Sequence, residues 1–210
     1  MEANKNYRTD QEQFWAGEFG NAYINRNQGA ALLASNLNFF VKALNQARGI
    51  RSCIEFGANI GMNLKALGLL YPDLEMSAIE INQQAAEQLR AVVPPERIHH
   101  ESILEFTPKR TWDLVLIKGV LIHINPDALN QVYDKLAQAT GAYLLVAEYY
   151  SPQPVAIPYR GHTDRLFKRD FAGEMLERHP EFSLVDYGFV YRKDPSFPQD
   201  DVSWFLLRKR

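Results

Sequence analysis

Two short runs of this chain carry residues whose types and spacing suit a polar organic ligand. The first is Glu55-Phe56-Gly57-Ala58-Asn59-Ile60-Gly61, where a glycine directly follows an apolar stretch and a second stands four residues on. A glycine at that point lets the backbone turn sharply and lets a ligand approach with no Cβ in the way. The second glycine opens a helical pattern, whose free N–H groups and positive dipole end can face a polar cofactor. Glu80 follows Gly57 by 23 residues, near the spacing at which an acid accepts hydrogen bonds from ribose hydroxyls in nucleotide-binding βαβ folds. In His100-Glu101-Ser102-Ile103 a polar side chain can reach an adenine amino group. The plainer readings are a tight strand-to-helix turn and a solvated strand-end carboxylate.

The second run is Trp112-Asp113-Leu114-Val115-Leu116-Ile117-Lys118-Gly119-Val120-Leu121-Ile122-His123-Ile124. It reads as a buried strand that delivers Lys118 and Gly119 to the carboxyl edge of a sheet, where open α/β folds place ligands. An imidazole titrates near neutrality, so His123 is a candidate general base, worth about 10²–10⁴-fold in rate, and the rate should rise with pH through a near-neutral value. His162, in Tyr159-Arg160-Gly161-His162-Thr163-Asp164-Arg165, is the second candidate. For both, the competing reading is a structural or solvent-facing histidine. Arginine forks pair well with carboxylates and phosphates, which gives Arg160 and Arg165 a use, with Lys168 and Arg169 following. The bland alternative is the basic first turn of a helix starting near Lys168. Tyr149 and Tyr150, beside Glu148, can line a pocket or pack in the core.

These residues need a frame, and the hydrophobic pattern describes one. Apolar positions at helical spacing run through 29–47, with Gly49 as the expected αL cap. Strand patterns at Ser52–Phe56, Glu75–Glu80, Arg97–His100, Trp112–Ile117 and Ala142–Glu148 alternate with helical ones through Leu64–Leu70, Gln83–Val92 and Pro126–Ala139. That alternation implies βαβ units, a parallel sheet and helices on both faces. Pro152, Pro154 and Pro158 then stiffen a connector, and the β-rich runs Ser183–Tyr191 and Val202–Arg208 suggest an antiparallel hairpin closing the sheet edge. The stretch from Tyr7 to Asn27, rich in aromatics and glycine, reads as a lid or arm.

The 210 residues suit one domain over 1–210, with the arm at 1–28, a cofactor-binding core over 50–150 and a covering connector and helix over 151–175. A net charge of −2 argues against broad nucleic-acid binding, which needs a large basic field. A single cysteine, Cys53, in an apolar run, rules out an intrachain disulfide framework and a multi-cysteine zinc site. No metal is expected. Met1–Asn6 is polar with no signal-type apolar stretch, and no run approaches the roughly 20 apolar residues that span a bilayer. The expected location is cytoplasmic, with no membrane partner.

Taken together, E-x-G-x-x-x-G after strand one, an acid after strand two, and D-L-V-L-x-x-G-V-L-x-H-I on strand four resemble class I S-adenosylmethionine (SAM)-dependent methyltransferases. Gly57-Ala58-Asn59-Ile60-Gly61 lacks the G-x-G-x-x-G that a dinucleotide pyrophosphate needs, which disfavours a dehydrogenase. The resemblance implies a Rossmann-like α/β fold: a mostly parallel seven-stranded sheet with an antiparallel C-terminal hairpin. It implies SAM held by Glu55, Gly57, Asn59, Gly61, Asn63, Glu80, Ile81, Ser102, Ile103, Lys118, Gly119 and Val120. Arg26 would meet the methionine carboxylate, and Trp15 and Tyr23 would close over the cofactor. The flanks, Phe14 to Asn27, Leu116 to Pro126 and Glu148-Tyr149-Tyr150-Ser151-Pro152, are similar to methylases associated with pseudaminic acid biosynthesis. That implies O-methylation of an acidic sugar or its nucleotide-linked precursor, with Tyr149, Tyr150, Tyr159, Arg160 and Arg165 on the acceptor and His123 or His162 as base. A small carboxylate or phosphonate acceptor, and a non-catalytic SAM- or nucleotide-binding partner subunit, stay open.

Overall fold

The computed structural model describes residues 7–24, 26 and 28–210; Met1–Asn6 and the arm positions Asn25 and Asn27 lie outside the described residues. In chain order the elements are α1 (Asp10–Ala16), α2 (Glu18–Ile24), α3 (Ala30–Ala43), β1 (Ser52–Phe56), α4 (Met62–Leu70), β2 (Glu75–Ile79), α5 (Gln83–Leu89), β3 (Ile98–His99), β4 (Trp112–Lys118), α6 (Leu129–Ala139) and β5 (Thr140–Glu148). They are followed by β6 (Val155–Ala156), β7 (Phe167–Lys168), α7 (Phe171–Arg178), β8 (Phe182–Val190) and β9 (Val202–Lys209).

Seven strands form one sheet in the order β3-β2-β1-β4-β5-β9-β8. The first five are mutually parallel, and β9 runs antiparallel to both β5 and β8. Strands buried on both faces read as continuous apolar runs, and β4 shows why. Leu114 and Leu116 pack with Phe39 and Phe40 of α3 and Leu64 and Leu67 of α4, while Val115 and Ile117 pack with Val132 and Leu136 of α6 and Met175 of α7. Cys53 is fully buried in β1, and burial pushes its thiol well above the ordinary range. The C-terminal hairpin forms as expected, but β9 inserts beside β5 and leaves β8 outermost. Ser203 at the start of β9 therefore sits opposite Glu148 at the end of β5, which brings the β8–β9 loop to the carboxyl edge of the parallel strands.

Two expectations need correction. Helix α3 ends at Ala43, not 47, and Gly49 does not cap it. The Arg48 guanidinium donates to the carbonyls of Asn45 (2.6 Å) and Ala47 (2.8 Å), and the chain bends so that Leu44, Ala47 and Ile50 enter the core. Nor do Lys168 and Arg169 start a helix. Lys168 belongs to β7, and α7 begins at Phe171 with Asp170 as N-cap, its carboxylate accepting from Gly173 N at 2.8 Å.

The connector before α7 is a β-hairpin flap. Strands β6 and β7 pair antiparallel, Ile157 N donates to Leu166 O (2.9 Å), and Tyr159 and His162 exchange backbone hydrogen bonds (2.7 and 3.0 Å). Arg160 and Gly161 at the tip both have positive φ, 49° and 86°, as a two-residue type I′ turn requires. Pro158 stands between the two bonding positions, where a missing N–H costs nothing. Among the described residues no helix is long and apolar enough to cross a membrane, and no three His, Cys, Asp or Glu converge as a metal site.

Gly61 joins the glycine loop to α4 at φ 81°, and a Cβ there would lie 2.6 Å from Leu89 Cδ1 and 3.4 Å from Val92. Gly61→Ala should therefore cost about 1–3 kcal/mol through backbone strain and overpacking, measurable as a lower midpoint in thermal unfolding.

Candidate active site

The carboxyl ends of β1, β2, β4 and β5 open into a cavity of about 760 Å³. Its floor begins with the glycine loop. Gly57 N and Ala58 N donate to Ile79 O at 2.9 and 3.0 Å, so the loop folds across β2. Gly57 has φ 78°, and a Cβ on it would lie 2.7 Å from Val120 Cγ2. Only a glycine fits at this φ with Val120 packed so close. Glu80 is buried, and its two oxygens accept from Asn59 N and Asn82 N, each at 2.7 Å. Desolvation raises its pKa, and those backbone donors pull it back. Ile81 N is a third backbone donor, and a carboxylate with about four lone-pair sites keeps capacity for a ligand hydroxyl.

Behind the loop lies a buried carboxyl group. Glu55, 1 % exposed, takes Asn63 Nδ2 on one oxygen at 2.6 Å, while its other oxygen has no partner. Burial pushes its carboxyl up to about 8, against the opposing pull of Asn63 and Lys118, so it is mostly protonated at neutral pH. Lys118 faces the cavity with its Nζ 5.5 Å from the Phe39 ring centre. Desolvation lowers its pKa, while Glu55, Asp200 and Glu148 hold it up.

The opposite wall is aromatic. His123 is 8 % exposed, with Trp15 at 4.6 Å and Tyr159 at 5.3 Å between ring centres. Its Nδ1 lies 2.6 Å from Arg165 O. A carbonyl brings no proton, so Nδ1–H donates and the neutral ring keeps its lone pair on Nε2. Burial pushes the imidazole down to about 4, well below the near-neutral value expected for an ordinary histidine. The arm supplies Trp15 and is held by polar contacts: Asn82 Nδ2 donates to Asn21 Oδ1 (2.8 Å) and Trp15 O (3.2 Å), Gln11 Nε2 to Asp164 O (2.9 Å), and the Ser102 hydroxyl to Glu12.

Most residues singled out from the sequence meet at this cavity. Trp15, Tyr23, Arg26, Gly57, Asn59, Asn63, Glu80, Ile81, Ser102, Ile103, Lys118, Gly119, Val120, His123, Tyr149, Tyr159 and Arg160 all line it. Five lie outside the lining. Glu55 sits behind Asn63, and Gly61 packs on α5. Tyr150 is 43 % exposed and bridges to Arg169. His162 is exposed, its ring 5.2 Å from Phe14. Arg165 is engaged by Asp164 and by Asp10 at 3.9 Å. The lining also includes Glu12, Asn36, Arg192, Gln199 and Asp200, which sequence reasoning missed. Asp200 receives the Tyr149 hydroxyl. Its only sequence signal is a proline-marked loop, and nothing local says that this loop returns beside β5.

No family model and no curated protein matches the chain. Solved structures do. Mitomycin 7-O-methyltransferase superposes with a TM-score of 0.68 at 17% identity, over 96% of this chain and 61% of that one. Magnesium protoporphyrin IX methyltransferase from Synechocystis PCC 6803, with bound SAM, gives 0.67 at 11% identity over 98% and 100%. The 1,6-didemethyltoxoflavin-N1-methyltransferase of Burkholderia thailandensis, with its substrate and S-adenosylhomocysteine (SAH), gives 0.66 at 16% identity over 94% and 86%. The chain has the class I methyltransferase fold. Within that fold, the glycine loop, Glu80 and His123 all stand at the carboxyl edge of the sheet.

The His123 environment has a measurable consequence. Its folded value of about 4 lies below the unfolded one of about 6.5, so between them the unfolded chain binds more protons. The stability that the neutral ring contributes is present above pH 6.5 and lost as pH falls through 4. Imidazole NMR should place the His123 midpoint near 4, and urea melts should show His123→Gln losing less stability than wild type between pH 7 and 4.5.

Proposed function

We propose that the protein is a SAM-dependent methyltransferase acting on a small acceptor. One observation carries this reading: in a class I fold, a single cavity joins a glycine cradle and a buried carboxylate with spare acceptor capacity to a neutral imidazole with a free Nε2. The side-chain-free Gly57 turn in the cavity lining, packed against Val120, and the buried Glu80 carboxylate fit an adenosyl group. Gly57, Asn59 and Glu80 would hold its ribose side, Ser102 and Ile103 its base, and Asn63, Lys118 and Arg26 its amino-acid end. Bound SAM supplies an electrophilic methyl carbon.

The chain's own work is alignment, exclusion of water and proton removal. Trp15, Tyr23 and Tyr159 wall the cavity, and alignment of this kind is worth roughly 7–11 kcal/mol. His123 Nε2 takes the acceptor proton, because Nδ1–H is committed to Arg165 O.

The finer reading is O-methylation of an acidic sugar of the nonulosonic type, or its nucleotide-linked precursor. It is supported by the motif resemblance in the flanks and by the cations Lys118 and Arg160 among the lining residues. Arg160 then carries the anion contact, since Arg165 already faces Asp164 and Asp10. A second reading, a carboxylate or phosphonate acceptor that needs no base, is favoured by the low His123 value of about 4.

Calorimetry with SAH, SAM and NAD tests the cofactor. SAH should bind and NAD should not. Glu80→Ala should weaken SAH by about 1.5–3 kcal/mol, as for hydrogen bonds to a charged group, and Gly57→Val should abolish binding. Unchanged affinity in both variants overturns the assignment. A pH–rate profile separates the acceptors: with a sugar hydroxyl, His123→Gln loses about 10²-fold or more in kcat, whereas an ionised acceptor tolerates it.

A further inference from the structure

The turn that carries His123 depends on a residue from another strand. After β4 the chain bends at Gly119 (φ 68°) and enters a short 3₁₀ turn, Leu121–His123. The N–H groups of Val120, Leu121 and Ile122 all end on one carboxylate. Glu148 Oε1 accepts from Val120 and Leu121, each at 2.9 Å, and Oε2 accepts from Ile122 at 3.4 Å. Glu148 is the last residue of β5 and is 3 % exposed. Successive N–H groups converging on an anion form a nest, here filled by the protein itself.

What the nest holds is the candidate site. The Val120 side chain lies against Gly57, and both Val120 and Ile122 line the cavity. His123 N donates to Val120 O at 2.9 Å, so the imidazole leaves the backbone directly beyond the last nested N–H. The ring end is tied separately, through Nδ1 to Arg165 O. An apolar residue in place of Glu148 would avoid desolvating a carboxylate but would strand buried donors. An isosteric amide can keep its oxygen on Val120 and Leu121 but sets an N–H₂ against Ile122 N and carries no charge.

We propose that Glu148 is a positioning residue: its carboxylate fixes the Val120–Ile122 backbone and thereby aims His123 Nε2 into the cavity. The inference rests on the methyltransferase reading for its purpose, though its geometry does not. Burial pushes Glu148 up to about 7, against its backbone donors and Lys118. The nest therefore loses its negative charge in the neutral range, well above the pH at which His123 itself titrates. The other charged or titratable groups facing Glu148 among the described residues are Lys118 of β4, Tyr133 of α6, Tyr150 after β5 and Arg169 before α7, with Glu174 of α7 bonded to both Tyr133 and Arg169.

Imidazole ¹⁵N spectra of the full chain, with His123→Gln used to assign the signal, provide the test. In wild type the His123 resonances should move twice, once near pH 7 as the nest loses charge and once near 4 as the ring itself protonates. Glu148→Gln should abolish the upper step and convert a single Nδ1–H form into a mixture of tautomers, with any loss of SAH affinity through Val120 smaller than the loss in kcat. With an acceptor in hand, kcat should fall by tenfold or more, as for a misplaced group, up to about 10²-fold, with little change in KM for SAM. A folded Glu148→Gln protein with the wild-type His123 spectrum overturns the proposal. Should that variant fail to fold, Glu148→Asp keeps the charge one methylene short of the nest, and an unchanged His123 spectrum in it has the same force. Failure of SAH to bind wild type refutes the methyltransferase reading alone, and the spectra still decide the role of Glu148.

Discussion

Parallel strands buried on both faces end in loops whose N–H groups have no partner within the strands, and here buried carboxylates take several of those groups. Glu80 bonds the glycine loop after β1 to the start of α5, and Glu148 gathers three N–H groups of the loop after β4. A buried donor without an acceptor costs about 1–3 kcal/mol, so these two residues decide which loop conformations exist. The cavity is the space between the loops so fixed. Its shape follows from satisfying backbone groups at the sheet edge.

The same burial sets the electrostatics. Glu55, Glu148 and His123 are buried and Lys118 is half-buried, and in each the uncharged form gains: the acids rise to about 8 and about 7, the lysine falls, and the imidazole drops to about 4. Desolvation leads the causes in every case, and the neighbouring charges only moderate it. Burial thus weakens the charge of the groups deepest in the site, while Arg26, Arg160, Arg192 and Asp200 also line the cavity.

Closure comes from two segments with little stability of their own. Helices α1 and α2 have seven residues each, too short to persist alone in water. The β6–β7 flap is a hairpin of two-residue strands. Both are held by contacts across long sequence separations, such as Gln11 to Asp164, Glu12 to Ser102 and Phe14 to His162. The arm and the flap also meet at His123, which packs at a tilt against Trp15 from one and bonds the Arg165 carbonyl beside the other.

The core was legible in the sequence because its signals are local. Continuous apolar strands flanked by helical periodicity can only be buried on both faces, and Gly57 is needed wherever the backbone turns hard against a neighbour. So β1, β2, β4, β5 and the glycine loop could be read directly, as could the placing of Glu80 and His123 at the cavity. What tertiary structure alone decided depends on partners far away in the chain. Helix α3 ended at its C-cap, Leu44, with Arg48 bonding the carbonyls of the turn beyond it, and Asp10 and Asp164 occupied Arg165, one of the two arginines expected to bind a ligand. The insertion of β9 beside β5 carried Gln199 and Asp200 into the cavity. His123 was visible as a candidate base, but its tautomer and its low pKa were not, because both come from burial and from a carbonyl 42 residues away. Residue type reports what a group can do; its protonation state and aim are set by what is packed around it.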